Sequence, residues 1–191
     1  MEEVRCFIAI ELPDKIKGGL RALQAQLKAA SPAPAKWVEP ENIHLTLKFL
    51  GNVAAGRIDE IAKAMTEAVK GTAPFSLEVK ELGVFPNPRR VQIVWVGVSG
   101  EVERLGRLQQ LIESGLAKLG FAPEKRRFAP HLTLARLRDR ATPQERERLG
   151  QLVAETEFVG GSFSVDSVKL MKSQLTREGP IYSQLGSAAL E

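Results

Sequence analysis

The stretch I-H-L-T-L, residues 43–47, returns as H-L-T-L at residues 131–134, and the two copies contain both histidines of the 191-residue chain. His44 and His131 lie 87 positions apart. Side chains of a β-strand alternate between two faces, so each copy places its histidine and threonine on one face and its leucines on the other. The leucines suit a core and the polar pair suits a groove. The repeat therefore predicts two equivalent strands that each border a polar groove.

The composition is typical of a globular protein that folds without cross-links. Hydrophobic residues make up 43% of the chain, which is enough apolar material for a core. The one cysteine, Cys6, cannot form an internal disulfide, and the sequence shows neither a leader peptide nor an apolar run of membrane-spanning length. We therefore expect a cytoplasmic protein with no membrane partner. The net charge of +4 permits a phosphate-bearing or nucleic-acid partner without requiring one.

The order of predicted elements occurs twice along the chain. Apolar periodicity predicts β-α-β-α-β in each half, with H-L-T-L in the second strand. The elements are predicted at 4–11, from 13, at 43–50, 56–69 and 75–85, then at 91–98, 101–119, 131–137, from 142 and at 162–171, with a last strand at 181–185. Gly51-Asn52 is predicted to end the first H-L-T-L strand, and Thr142 to cap the last helix.

The spacing of these elements supports a duplication. Val4 and Val91 each precede the histidine of their half by 40 positions. We predict one two-lobed domain over residues 1–191, with pseudo-twofold symmetry. Its first repeat covers about 1–88 and its second about 89–191, and the C-terminal strand is a candidate to cross to the other lobe.

Two lobes related in this way would make the two histidines face each other across a cleft. The alternative is that the strands lie at opposite ends of the molecule and never meet. Histidine titrates near neutrality, so two of them beside a bound group can divide acid and base catalysis. The threonine hydroxyls can donate hydrogen bonds to an anionic oxygen between them. This set fits a phosphodiester and requires no metal or nucleotide cofactor.

Other chemistries fit the two histidines less well. A catalytic zinc site has three protein ligands, and neither H-L-T-L copy carries an Asp or Glu to supply the third. Ser-His-Asp hydrolysis gives no reason for a second histidine. The sequence has no G-x-S-x-G elbow, P-loop or G-x-G-x-x-G fingerprint. Structural histidines in two similar strands are the remaining alternative.

The chain resembles the two-histidine phosphoesterases, and within them the RNA 2′,3′-cyclic phosphodiesterases, also called 2′-5′ RNA ligases. The matching stretches are R-C-F-I-A-I-E-L from Arg5, N-I-H-L-T-L-K-F-L-G from Asn42, G-V-F-P-N-P-R-R-V-Q-I-V-W-V-G-V from Gly83, F-A-P-H-L-T-L-A-R from Phe128 and S-Q-L-T-R-E-G-P-I-Y from Ser173. The paired H-x-T-x is specific for the superfamily. The resemblance implies an α+β fold whose two lobes carry antiparallel-rich sheets around a central basic cleft.

The resemblance also implies an activity. It is hydrolysis of a terminal RNA 2′,3′-cyclic phosphate to a 2′-phosphomonoester, with a related ATP-independent 2′-5′ ligation of RNA ends. His44 would donate a proton to the leaving 3′ oxygen, and His131 would be the base that activates water. Thr46 and Thr133 would bind the phosphate oxygens. The implied partner is RNA with a cyclic phosphate end, such as a tRNA fragment, bound by a monomer that needs no cofactor or metal.

Three further side chains are candidate substrate-binding residues. Arg136 matches the arginine that closes the second family motif, but strict alternation places it on the face opposite to that of His131 unless a bulge intervenes or the strand ends near Ala135. Alternation places Lys48 on the face of His44, as a second cation. Phe7 either offers a surface for base stacking or lies in the core.

Other residues and functions stay open. Arg89 and Arg90 either line an RNA path or lie in a solvated turn, and Tyr182 matches the closing G-P-x-Y of the family without a role. One alternative function is a noncatalytic module that binds RNA or nucleotide phosphate in the same cleft. Another is a cyclic phosphodiesterase for a small nucleotide, over which the pI of about 9.3 favours RNA.

Overall fold

The computed structural model describes all 191 residues, Met1–Glu191. It contains nine β-strands and four α-helices, joined by loops and turns. The strands are β1 Glu3–Glu11, β2 Ala35–Trp37, β3 His44–Ala54, β4 Phe75–Phe85, β5 Ile93–Gly100, β6 His131–Leu137, β7 Val159–Val165, β8 Ser167–Thr176 and β9 Gly179–Ala189. The helices are α1 Asp14–Ala30, α2 Ile58–Val69, α3 Val102–Ala117 and α4 Pro143–Glu155. None of the helices combines the length and the apolar character needed to cross a membrane.

The strands form two sheets in which all neighbours run antiparallel. Sheet A has the order β3-β1-β8-β9, and sheet B has the order β2-β6-β5-β4-β7. Each sheet contains one H-L-T-L strand, β3 in sheet A and β6 in sheet B. The predicted α+β class with antiparallel sheets is confirmed.

The two halves of the chain exchange strands. β4 lies beside β5 in sheet B, whereas β8, from the end of the chain, lies beside β1 in sheet A and is followed there by β9. The central strands β1 and β5 thus have matching neighbours. Each has the H-L-T-L strand of its own half on one side and a strand of the other half on the other. This exchange joins the halves into one body, and the division of the chain near residue 88 stays a prediction.

Helices cover one face of each sheet. α2 packs against α3 and β9, and α3 against β3, whereas α1 packs against β7 and α4 against β4. Each sheet is therefore covered by helices of both halves, and a core of 37 buried residues lies between the helices and the sheets. Phe7, Ala9 and Met171 form a separate small cluster on sheet A. The cap predicted for α4 is confirmed. The backbone N–H of Glu145 donates to the Thr142 hydroxyl at 3.1 Å, and the Glu145 carboxylate accepts from the backbone N–H of Thr142 at 2.8 Å.

Three predicted strand boundaries are wrong, and β2 is not among the predicted strands. The stretch 162–171 forms parts of two strands, because the chain leaves sheet B and enters sheet A at Asp166. The last strand extends over eleven residues rather than 181–185, and many of its residues are exposed. Gly51 does not end β3. Its φ of 71° fits a bulge opposite Cys6, beyond which the strand continues.

Candidate active site

β3 contains a β-bulge at the last leucine of its H-L-T-L copy. Ala9 of β1 pairs with Thr46, but the preceding residue, Ile8, pairs with Lys48, so Leu47 has no partner. An extra residue reverses the alternation of faces beyond it. Consecutive residues Leu47 and Lys48 are consequently both buried.

The bulge removes Lys48 from the groove. The residue is 6% exposed, and its ammonium group donates to the Glu113 carboxylate at 2.7 Å and to the Ala122 carbonyl at 3.1 Å. The prediction that Lys48 binds substrate is therefore wrong, because strict alternation does not allow for the bulge. The next residue, Phe49, is 72% exposed.

β6 has its bulge at the same place. The pairing with β5 shifts between Val94 and Trp95, which leaves Leu134 without a partner. The reversal of faces brings the exposed side chain of Arg136 onto the face of His131. The structure thus contains the bulge on which the predicted role of Arg136 depends.

His44 lies in an aromatic setting on sheet A. Its ring stacks on Phe7 with centroids 4.7 Å apart and meets Tyr182 edge-on at 5.1 Å. Phe7 is only 3% exposed, so it has no free face for a nucleobase; of the two alternatives, the core position is confirmed and the stacking role is wrong. It supports the His44 ring instead. The Asn42 side chain donates to the Pro180 carbonyl at 3.1 Å, which ties the start of β3 to the strand of Tyr182.

Burial lowers the pKa of His44 from 6.5 to about 4. Desolvation of the charged ring is the largest cause. A hydrogen bond with the backbone of Asn42 opposes it, and the positive charge of Lys17 adds to it. His44 is therefore neutral in the free protein near pH 7. Its implied role as proton donor requires an added negative charge in the site.

His131 is oriented by the backbone and by one aromatic ring. Its Nδ1 lies 2.7 Å from the Ala129 carbonyl oxygen. Because that oxygen only accepts, Nδ1 carries the proton and Nε2 is left for a ligand. Phe85 meets the ring edge-on at 5.1 Å and lies 5.3 Å from Trp95. The indole covers Gly83, where a Cβ would come within 2.0 Å of it.

The two H-L-T-L strands approach each other between the sheets. Cα atoms of β3 and β6 approach within 8 Å of each other. Burial raises the pKa of Tyr182, whose ring meets His44, and the charges of Arg136 on sheet B and Arg5 on sheet A act against that shift. Arg136 therefore reaches the His44 side of the cleft. The alternative in which the two H-L-T-L strands never meet is wrong.

Thr46 and Thr133 lie two residues beyond their histidines and before the bulges. Both are partly exposed, whereas the leucines on either side of each are buried. Each threonine therefore shares the face of its histidine, as alternation requires. Their hydroxyls are available as hydrogen-bond donors along the cleft.

Two groups at the cleft are not among the residues predicted from the sequence. Phe49 is exposed, and its ring lies 6.2 Å from the phenylalanine that stacks on His44. The repeat could have identified Phe49, because it follows His44 by five positions, just as Arg136 follows His131. Lys17 acts on His44 from α1. No motif marks Lys17, which depends on how that helix packs.

A second concavity adjoins the cleft on sheet B. A cavity of about 440 Å³ between the β4–β5 turn and the start of α4 is lined by Arg89, Arg90, Gln92, Pro143 and Arg146. None of the three arginines forms an ion pair with a carboxylate. The backbone N–H of Gln92 donates to the carbonyl of Phe85 at 2.8 Å, and Phe85 contacts His131. The Arg146 guanidinium donates to three backbone carbonyls, so the unpaired guanidinium groups of Arg89 and Arg90 are the ones that favour an anion near the cleft. No group of three or more His, Cys, Asp or Glu side chains is placed to hold a metal.

A model of the LigT-like phosphoesterase family matches the chain twice, over residues 10–95 and 96–182. The chain belongs to this family. A relative named RNA 2′,3′-cyclic phosphodiesterase, from Methanothermobacter thermautotrophicus, is 39% identical over 184 residues, which cover 96% of this chain and 97% of the relative. A relative of the same name from Thermotoga maritima is 34% identical over 188 residues, 98% of this chain and 96% of the relative.

A solved structure of this family has the same fold. Escherichia coli LigT complexed with 3′-AMP matches with a TM-score of 0.77 at 29% identity, over 99% of both chains. The resemblance recognised in the sequence is thus confirmed for this LigT-like phosphoesterase.

Proposed function

We propose that this LigT-like phosphoesterase hydrolyses the terminal 2′,3′-cyclic phosphate of RNA and leaves a 2′-phosphate and a 3′-hydroxyl. The observation that carries the proposal is the approach of the two H-L-T-L strands to each other, with every histidine of the chain in those strands. The name shared by the relatives supports the same substrate. Hydrolysis needs one proton removed from water and one given to the leaving oxygen, which two imidazoles can supply.

In the proposed reaction, His131 accepts a proton from water while the water oxygen bonds to phosphorus. The P–O3′ bond breaks, and His44 donates its proton to the 3′ oxygen. Thr46 and Thr133 donate hydrogen bonds to the nonbridging oxygens, and Arg136 adds positive charge where negative charge accumulates. A 5′-hydroxyl in place of water would give a 2′-5′ ligation. The scheme uses neither a metal ion nor ATP.

His44 takes up its proton together with the substrate. A pKa of about 4 leaves it neutral in the free protein at pH 7. The cyclic phosphodiester is an anion, and an opposite charge beside an imidazole favours the protonated form. Substrate binding is therefore coupled to proton uptake, and the bound state contains the acid that the leaving oxygen needs.

The arginine-lined cavity favours RNA over a small cyclic nucleotide. Phe49 offers either substrate an aromatic face for its base. Only RNA has a further phosphate for the charges of Arg89, Arg90 and Arg146. The choice of a tRNA fragment, the monomeric state and the cytoplasmic location stay predictions from the sequence.

The proposed function is tested with a short RNA that ends in a 2′,3′-cyclic phosphate, incubated in EDTA. The wild type is expected to yield a 2′-phosphate end. His44→Ala and His131→Ala are expected to bind the RNA without turnover. If the wild type itself binds the RNA but leaves the cyclic phosphate intact, the protein is the noncatalytic binding module.

A substrate with sulfur in place of the bridging 3′ oxygen separates the two histidines. A thiol has a pKa of about 8.5, so its thiolate leaves without being protonated, whereas an alkoxide does not. We expect His44→Ala to regain turnover on the sulfur substrate and His131→Ala to remain inactive. The opposite pattern would exchange the acid and the base.

A further inference from the structure

The buried polar side chains of the protein are concentrated behind the two bulges. Gln24, Lys48 and Gln109 are its three buried polar or charged residues. All three belong to two hydrogen-bonded groups, which we call the braces, one behind each H-L-T-L strand. Burying polar groups is costly even when they are paired. The core is otherwise apolar, and it contains buried polar side chains only behind the two bulges.

The brace of sheet A is an ion pair. Lys48 directly follows the bulged residue Leu47, and its ammonium group lies 2.7 Å from the Glu113 carboxylate of α3, with 4% and 14% of the two side chains exposed. Gln109, one turn earlier on α3, donates to the other carboxylate oxygen of Glu113 at 3.3 Å. The helix is thereby tied to the strand immediately after the bulge.

The brace of sheet B is an amide. Gln24 of α1 donates from Nε2 to the carbonyl of the bulged Leu134 at 3.2 Å and to the carbonyl of Val38 at 2.7 Å. The backbone N–H of Val38 donates to the same Leu134 carbonyl at 2.9 Å. The carbonyl of the bulged residue thus accepts two hydrogen bonds, one from the backbone beyond β2 and one from the Gln24 amide.

The braces occupy matching positions in the two halves of the chain. Gln24 and Glu113 are 89 positions apart, and so are the buried helix residues Leu27 and Leu116. In each case the helix of one half holds the H-L-T-L strand of the other half. The two braces occupy equivalent positions but differ in chemistry, since one is an amide and the other an ion pair. This indicates that both serve the same role at the bulge.

We propose that the two braces are positioning devices for the active site, which hold the bulges and so keep Phe49 on the face of His44 and Arg136 on the face of His131. Residues beyond a bulge stay on the histidine face only while the extra residue remains unpaired. Without its brace, a strand is free to regain regular pairing. A slip of one residue then turns Phe49 or Arg136 away from the cleft.

The test replaces the ion pair by apolar side chains, Lys48→Met together with Glu113→Leu. Such an exchange often leaves stability unchanged or raises it, whereas Lys48→Met alone leaves a buried carboxylate unpaired and lowers the urea midpoint. We expect the double variant to unfold at or above the wild-type urea concentration. Its kcat on 2′,3′-cyclic AMP is expected to fall about 10- to 100-fold, as for reacting groups displaced by about 1 Å.

The matched control is Arg104→Met with Glu101→Leu, which removes an ion pair of 3.2 Å at the other end of α3. This control is expected to keep the wild-type kcat. A double variant of the brace that is folded and has kcat within twofold of the wild type overturns the proposal, since the pair then serves stability alone. If that variant does not fold, Gln24→Met applies the same kinetic test to sheet B.

The measurement of kcat is informative only if the proposed function is correct. A crystal structure of the double variant tests the role of the brace independently of that function. A regular register at Leu47, with Phe49 turned from the cleft, supports the positioning role. An unchanged bulge overturns it. A wild type that cleaves no cyclic phosphate would refute the proposed function, and the crystal structure would still decide the role of the brace.

Discussion

The protonation of His44 is the most direct test of how this cleft works. The ring packs against Phe7 and Tyr182, and Lys17 adds a repelling charge. Its pKa of about 4, against 6.5 for an exposed ring, corresponds to about 3 kcal/mol against the charged form. At pH 7 about one molecule in a thousand then carries the proton on this ring.

Because the chain has only two histidines, the imidazole Cε1 protons give only two NMR signals. His131→Gln leaves one signal and so assigns His44. In the free protein we expect its midpoint at about pH 4. Inorganic phosphate or 2′-AMP is expected to raise the midpoint, because an anion beside the ring stabilises the imidazolium.

The lowered pKa of His44 also makes the free energy of unfolding depend on pH, in a direction that can be predicted. The folded pKa lies below that of the unfolded chain, so the unfolded state binds more protons between the two values. The contribution of His44 is therefore complete above about pH 6.5 and is lost as the pH falls to about 4, by at most about 3 kcal/mol. Urea unfolding of the wild type and of His44→Gln at pH 7 and 4.5 isolates this loss from that of the carboxylates. A midpoint near 6.5 in the free protein, or a difference between the two proteins that does not change with pH, would refute the reasoning from burial.

Two arginine predictions distinguish catalysis from RNA binding. Arg136→Ala is expected to lower kcat by up to about 100-fold, because it removes a charge near the transition state. A raised KM with unchanged kcat would show that Arg136 only holds RNA. Arg89→Ala combined with Arg90→Ala is expected to raise KM for an RNA of several nucleotides and to weaken its salt dependence, with KM for 2′,3′-cyclic AMP unchanged. Arg148→Ala, which changes an exposed residue of α4, is the control, and an equal effect of the double change on both substrates would argue against a second phosphate site.

Local patterns in the sequence predict what depends on local geometry. The repeated H-L-T-L predicts two strands with a polar and an apolar face, because alternation is a property of the strand itself. Thr142 and Pro143 predict the start of α4, because a cap needs only the first turn of its own helix. The family motifs predict the fold class, and they mark the two histidines as the candidate catalytic residues.

Features that depend on neighbouring strands could not be predicted in this way. The faces of Lys48 and Arg136 are reversed by bulges, and a bulge is defined only by the register with β1 or β5. The stretch 162–171 gives one continuous pattern, although its two parts join different sheets on either side of Asp166. The pKa of His44 likewise depends on rings from β1 and β9, which are distant in the sequence.

The two halves of the chain share one scaffold, and the proposed chemistry depends on where they differ. After matching bulges, sheet A presents the aromatic ring of Phe49, whereas sheet B presents the charge of Arg136. Two aromatic rings lie against His44 and one against His131. A nucleotide has an uncharged base and an anionic phosphate, and hydrolysis takes a proton on one side and delivers one on the other. Identical halves would treat both ends of the substrate and both protons alike, so the differences at these few positions are what a symmetric scaffold needs in order to catalyse an asymmetric reaction.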